Sequence, residues 1–350
     1  MRALVYDGPW KIGVQELPDP EPGPADAVVD VIATGICGSD LHGFTGENGR
    51  RSPGQVMGHE SAARVRTLGS AVQPQPGCGV GDLVTFNPVI GCGHCDACAS
   101  GATQRCTAKR VIGVDPTIPA SMAEQLLLPA ANLVALPATL TPALGALVEP
   151  LSVGYHAATR AGVEPGQRVL VLGAGPIGQA AALAARRRGA EAVLVSELDP
   201  RRRELLTKVG LAGVDPRAGN FASTVAGELG GAPDVVIDSV GSTASMRDAL
   251  SASSLFASIV LVGMDSPHLE IDAYRVSTEE RTLLGSYCYA TDEFSSTAAW
   301  LAEQGDALLP LIERCVDLDA GADAFASLAD GSWPPSKVLI CPNGVEGVAP

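Results

Sequence analysis

Two textures of apolar and polar positions divide this chain near residue 150. Before it, short apolar pieces such as Ala27–Ala33, Ser61–Thr67 and Leu83–Phe86 alternate with Gly and Pro turns. That texture predicts a compact, mostly β domain. After it, apolar runs at 168–172, 192–196, 234–238 and 258–262 alternate with helical stretches. This βα order predicts a parallel sheet. From about Asp292 the chain returns to mixed pieces and ends in the strand-like Lys337-Val338-Leu339-Ile340. The expected fold is α/β, with a βα domain (152–290) inserted between two parts (1–151 and 291–350) of a β-rich one.

Composition sharpens this outline. A chain of 350 residues fits two domains, because single cores stop growing below that size. A hydrophobic fraction of 46% and a mean hydropathy of +0.20 allow a large core. The uncharged run Leu126 to Val148 is long enough to raise a membrane helix, but Pro129, Pro137 and Pro142 break it. Met1 to Asp7 reads as a strand and has no apolar signal-peptide core. With 24 basic against 39 acidic residues the formal charge is −15, which argues against nucleic acid and anionic membranes as partners. A soluble, cytoplasmic protein is expected.

Nine cysteines change the picture more than any of this. Cys92, Cys95, Cys98 and Cys106 lie in one Gly- and Ala-rich loop, about 91–106, with C-x2-C-x2-C-x7-C spacing. Such a loop buries no core of its own, and a tetrathiolate zinc would supply its folding free energy. Two disulfides fit poorly, since nothing else in the chain looks secreted, and an iron–sulfur cluster is the remaining alternative. Four thiolates close the coordination shell, so any metal chemistry belongs elsewhere. His94, inside this loop, is expected to be exposed. Cys78, Cys288, Cys315 and Cys341 show no spacing pattern and read as buried or incidental thiols of a reducing compartment.

The apolar strand Arg168–Leu172 runs into Gly173-Ala174-Gly175-Pro176-Ile177-Gly178 and an Ala-rich helix to about Arg188. G-x-G-x-x-G between a strand and a helix is a dinucleotide-binding fingerprint, with amides at the helix start facing a pyrophosphate. A second strand ends at Glu197, where a carboxylate accepts the ribose hydroxyls and repels a 2′-phosphate. That favours NAD. Arg201-Arg202-Arg203 keeps NADP as the alternative, although a basic run at a helix start is more often a solvated face. Arg186-Arg187-Arg188 ends a helix, where cations suit the dipole. His156 is expected to cap or pack a helix.

A second metal site is a further candidate. Cys37 and His59 are good zinc ligands, and Glu60 or Glu149 could add a carboxylate. Each alone also has a plain structural reading.

Taken together, Cys37-Gly38-Ser39-Asp40-Leu41-His42, Gly58-His59-Glu60, Gly81-Asp82-Leu83-Val84, the four-cysteine loop and the fingerprint resemble the zinc-dependent medium-chain alcohol dehydrogenases in order and spacing. The resemblance covers essentially the whole chain. It implies a GroES-like catalytic domain carrying the structural zinc lobe, plus a Rossmann domain, with one catalytic and one structural zinc. It makes Cys37 and His59 ligands of the catalytic zinc, with Asp40 supporting them from behind. Ser39 would take the alcohol proton and His42 would pass it to solvent. Glu197 and Arg202 align with the ribose-binding acid and its basic neighbour, and Gly263 would lie near the nicotinamide. The segment Thr282–Tyr289 resembles the subunit-pairing strand, implying a homodimer or homotetramer.

One departure refines the expectation. Where ordinary alcohol dehydrogenases place a second zinc-ligating cysteine, this chain has Glu149 in Val148-Glu149-Pro150-Leu151. That looks like the polyol, sugar and threonine dehydrogenase branch, in which either Glu60 or Glu149 completes the shell, directly or through water. An oxygen-richer shell suits substrates that chelate through neighbouring hydroxyl or amino groups. The expected enzyme moves a hydride between a secondary alcohol (polyol, sugar, cyclitol or amino alcohol) and NAD. A ketone or aldehyde reductase using NADPH and a non-catalytic dinucleotide-binding protein are the alternatives. Aromatic residues are only 4% of the chain, and Phe44, Phe86, Tyr287 and Tyr289 are the candidates for a pocket wall.

Overall fold

The computed structural model describes residues 1–47, 49, 51–333 and 336–348. The chain divides into two compact units, Met1–Glu149 with Ala290–Pro350, and Pro150–Tyr289.

The first unit is built on a seven-stranded sheet. Its order runs Leu133–Ala135, Leu83–Phe86, Glu60–Leu68, Asp26–Gly35, Lys337–Cys341 and Ile312–Asp317, with Gln125–Pro129 also paired to Asp26–Gly35. The strand Asp26–Gly35 is central and largely buried, and its two register shifts bend it around the core. A three-stranded sheet (Lys11–Glu16, Arg2–Gly8, Gln55–Val56) completes the β framework. The core between them holds Leu4, Phe44, Met57, Phe86, Met122, Leu126 and Phe325.

The second unit has a six-stranded sheet, ordered Ala212–Val214, Ala192–Ser196, Arg168–Leu172, Val235–Asp238, Ser258–Leu261 and Thr282–Gly285. Every pairing is parallel. Val169, Leu170, Val171 and Leu172 are all buried. A run without alternation is what a strand covered on both faces requires. The helix Pro176–Arg187 begins with proline, whose missing N–H costs nothing at that position.

Several expectations need correction here. Phe44, Phe86 and Tyr289 are buried core side chains and only Tyr287, 46% exposed, faces solvent, so three of the four aromatics form no open pocket wall. Phe44 is sandwiched at 5.4 Å from both Trp10 and Phe325. The strand expected over 282–289 stops at Gly285. Cys288 turns to φ 53, a left-handed conformation that a ladder does not tolerate. Of the remaining thiols, Cys78 and Cys341 are buried, and Cys341 lies on the strand paired with that of Cys315, whose thiol it meets. No helix among the described residues is long and apolar enough to cross a membrane.

Candidate metal and nucleotide sites

The four-cysteine loop closes on itself. The sulfurs of Cys92, Cys95, Cys98 and Cys106 all lie within 4.8 Å of one another, and Cys92 Sγ stands 4.0 Å from Cys98 Sγ. Tetrahedral zinc with Zn–S near 2.3 Å separates its sulfurs by about 3.8 Å, so the cluster fits a structural zinc. Backbone amides of His94 and Cys95 directed at the Cys92 sulfur lower that thiol to about 6, favouring the thiolate that binds metal. Gly91 is required by the geometry, since a Cβ there would stand 2.6 Å from Cys98 Sγ. The loop is tied down by Thr291, whose amide donates to Gly101 O at 3.0 Å. His94 is exposed.

A second cluster forms where two strands and a short helix meet. Cys37 is the N-cap of the helix Gly38–Thr45, and Glu60 opens the strand Glu60–Leu68 with His59 just before it. One ligand atom from each of Cys37, His59 and Glu60 lies within 4.8 Å of the others. Two buried atoms of this group, His59 Nδ1 and Glu60 Oε1, have no hydrogen-bond partner. Orphaned buried polar atoms beside a thiol are what a cation site leaves behind, so the residues fit a metal.

The electrostatics agree. Burial would lower the His59 pKa, yet Asp40, Cys37 and Glu149 reverse that and raise it to about 10. Negative charge around His59 favours a positive charge at this position. Asp40 Oδ2 lies 3.9 Å from His59 Nδ1 and accepts the Cys37 N–H at 3.2 Å. Glu60 Oε2 takes Lys337 Nζ at 2.5 Å, leaving Oε1 free to face the cluster. Glu149, on the helix Val148–Arg160, acts on His59 through its charge but stands outside the group within 4.8 Å. Sequence reasoning missed Lys337 altogether, because nothing local marks a residue 277 positions from its partner.

Ser39 and His42 sit on the same helix three positions apart, which puts them on one face. Ser39 is half-buried and His42 exposed.

In the second unit the fingerprint divides its labour among three glycines. Gly173 has φ +89, a turn that costs a side chain strain. A Cβ at Gly178 would overlap Gly173 O, so only glycine brings the helix this close to the turn. Gly175, at the helix N-cap, has nothing within 4 Å of where its Cβ would stand. That open cradle, flanked by the half-buried Pro176 and Ile177, fits a pyrophosphate at the helix N-terminus.

Glu197 is buried beside this turn. Its oxygens accept from Ala174 N (2.7 Å) and Asp199 N (2.8 Å), and Arg202 Nη1 lies 3.4 Å away. Arg201 is held by Asp199, and Arg203 by the carbonyls of Glu197 and Leu198. Gly263 is wedged against the neighbouring turn, where its Cβ would overlap Val240. Arg186 and Arg188 satisfy backbone carbonyls, Arg187 lies over the Tyr155 ring at 4.2 Å, and His156 is buried in its helix.

Both parts of the chain match known domain families. Residues 23–138 match the alcohol dehydrogenase GroES-like domain, and residues 176–303 match the zinc-binding dehydrogenase domain. The chain is 32% identical over 305 residues to L-galactonate-5-dehydrogenase of Escherichia coli, covering 87% of this chain and 88% of the relative. It is 30% identical over 354 residues to sorbitol dehydrogenase of Bacillus subtilis, covering 98% of each. A zinc-binding dehydrogenase from Sinorhizobium meliloti, solved bound to NADP, superposes with a TM-score of 0.87 at 31% identity, covering 97% of this chain and 99% of that one. The chain therefore belongs to the zinc-dependent medium-chain dehydrogenases, in the polyol dehydrogenase branch. Its reaction is hydride transfer between a secondary alcohol and a nicotinamide cofactor.

Proposed function

We propose that this protein is an NAD-dependent dehydrogenase of a sugar acid or sugar alcohol carrying neighbouring hydroxyl groups. The observation that carries the reading is the Cys37–His59–Glu60 cluster, which brings a thiol, a buried imidazole and a buried carboxylate together with two polar atoms left without partners. Relatives named for L-galactonate and sorbitol support the substrate class.

Cys37, His59 and Glu60 would hold the catalytic zinc, with Glu149 nearby as an added negative charge. When bound, zinc supplies Lewis acidity that lowers the pKa of a hydroxyl group at the site. Ser39 Oγ accepts the substrate hydroxyl proton as it gives up its own toward His42, which releases a proton to solvent. Asp40 accepts the Cys37 N–H and sets its charge beside His59. In the second unit Gly173, Gly175, Pro176, Ile177 and Gly178 cradle the dinucleotide phosphates, and Gly263 borders the nicotinamide end. Glu197 selects the ribose hydroxyls of NAD. NADP is disfavoured because Arg201 and Arg203 are already engaged by Asp199 and backbone carbonyls. The partner is a small-molecule alcohol or ketone, and a cytoplasmic homodimer or homotetramer is the proposed setting.

The test is NAD(H)-linked turnover by zinc-replete protein over a panel of sugar acids, polyols, cyclitols, amino alcohols and simple secondary alcohols, repeated with NADP⁺. Oxidation of a vicinal polyol or sugar acid with NAD⁺ is expected. Turnover restricted to simple alcohols, or to NADP⁺, overturns the Glu60/Glu149 or the Glu197 assignment respectively.

A further inference from the structure

Behind the Cys37–His59–Glu60 cluster lies a buried arginine that none of the site motifs contains. The Arg51 side chain is 1% exposed and its partner Asp40 is fully buried. Arg51 Nη2 lies 3.2 Å from Asp40 Oδ1 and 3.4 Å from the carbonyl of Ser39, while its Nε has no partner. Burying a guanidinium with one N–H unsatisfied is costly, and a surface position would avoid that cost. The fold makes room for it nonetheless. Gly43 sits in the helix Gly38–Thr45, and a Cβ there would overlap Arg51 Cγ and stand 3.1 Å from Nε.

What the arginine holds is the carboxylate behind His59. Asp40 has two oxygens with separate tasks. Oδ2 accepts the Cys37 N–H at 3.2 Å and faces His59 Nδ1 at 3.9 Å. Oδ1 is turned away and ends on Arg51. Arg51 thus holds Oδ1 while the Cys37 N–H holds Oδ2, so both oxygens of the buried carboxylate are fixed. We infer that Arg51 is a positioning residue of the metal cluster: it fixes Asp40, whose other oxygen accepts the Cys37 N–H and sets its charge 3.9 Å from His59 Nδ1, and with the same guanidinium it anchors the Ser39 end of the relay helix. Carboxylates behind metal-bound histidines set ring orientation and ligand basicity, and losing such a partner typically weakens metal binding about 10–100-fold. Arg51 extends that chain by one link.

The inference rests on the reading that Cys37, His59 and Glu60 hold zinc. The measurement is zinc affinity by competition with a chromophoric chelator, made on full-length protein that carries both zinc sites. A Cys37→Ser protein identifies the lobe's share of the signal, so the four-cysteine site serves as an internal control. Arg51→Gln is expected to weaken the non-lobe zinc by about 10–100-fold while lobe affinity stays put. Arg51→Lys, which keeps a cation but not the fork, is expected to recover part of the loss. Gly43→Ala is expected to behave like Arg51→Gln although it alters no charge and alanine is the better helix former. In an Asp40→Asn background, Arg51→Gln is expected to change zinc affinity little, because the group it acts through is gone.

Wild-type affinity at the non-lobe site in Arg51→Gln overturns the inference. So does an equal loss from both sites, which marks Arg51 as a general structural residue, or an undiminished effect in the Asp40→Asn background. Should Arg51→Gln fail to fold, Gly43→Ala and Arg51→Lys carry the same comparison. A wild-type protein that binds zinc only in its lobe overturns the catalytic-zinc reading and the inference together, an outcome distinct from those above.

Discussion

Lys337 Nζ and Glu60 Oε2 form an ion pair at 2.5 Å in which neither side chain is more than 3% exposed. Taking both charges out of water is expensive, and removing one partner leaves the other stranded. Lys337→Met is therefore expected to destabilise the metal-free protein by about 3–5 kcal/mol. Zinc at the cluster would compensate the stranded carboxylate, so a chelator should lower the melting temperature of the variant more than that of the wild type. Equal chelator shifts would separate Glu60 from the metal. The pH sign follows from the raised Lys337 pKa, where burial opposes the charge but Glu60 and Cys37 outweigh it. The pair's contribution is complete below the ordinary lysine value of 10.5 and is lost only as pH rises through the higher folded value.

Cys37→Ser should abolish turnover while leaving nucleotide binding intact, because the two sets of residues belong to different units of the fold. Quenching of protein fluorescence on titration with NADH checks the second half. A variant that retains wild-type turnover rules out the cluster as the reaction centre.

Two glycines of the nucleotide turn, Gly175 and Gly178, should separate in their effects. Gly175→Ala meets no protein atom within 4 Å, so its melting temperature should match the wild type while nucleotide affinity falls. Gly178→Ala collides with the backbone of Gly173 and should lose both stability and nucleotide binding. Calorimetry with NAD⁺ and thermal melts on the two variants distinguish these outcomes.

Glu197→Gln should weaken NAD⁺ binding about tenfold or more, since a hydrogen bond to a charged group contributes roughly 1.5–3 kcal/mol. NADP⁺ binding should change little or improve. Unchanged discrimination between the two nucleotides would remove Glu197 from the specificity argument.

Asp199 caps the helix Pro200–Lys208 by accepting from Arg201 N. The Arg201 side chain, acting against partial burial, holds its carboxyl down at about 2. A depressed folded pKa means that the stabilisation is present above the ordinary value of 3.8 and is lost as pH falls through 2. Asp199→Ala should therefore cost about 1 kcal/mol at neutral pH. The gap between variant and wild-type melting temperatures should narrow steadily below pH 4.

Much of this site is legible from sequence because its residues cluster in short motifs. Cys37, Asp40 and His42 share one helix start, and His59 and Glu60 are adjacent. The fingerprint glycines lie within six positions, between an apolar strand and an Ala-rich helix. Lys337 and Arg51 are illegible for opposite reasons. Lys337 reaches Glu60 only through the pairing of Lys337–Cys341 with Asp26–Gly35, a contact set by sheet topology. Arg51 lies in a Gly-, Arg- and Ser-containing loop whose composition reads as solvated, and only the missing side chain at Gly43 gives it a buried berth. The aromatics misled because hydrophobicity does not distinguish a core ring from a pocket wall. Phe86 and Tyr289 are fully buried.

The strand that delivers Lys337 is inserted in mid-sheet, between Asp26–Gly35 and Ile312–Asp317. It arrives after the entire parallel-sheet unit has passed. During synthesis the contiguous unit 150–289 thus has all six of its strands available before the other unit has its last two. Domains fold as units while the chain emerges. Glu60 therefore receives its counter-cation only after all six parallel strands are available to pair. The buried ion pair is thus completed by the last strand of the chain to be made.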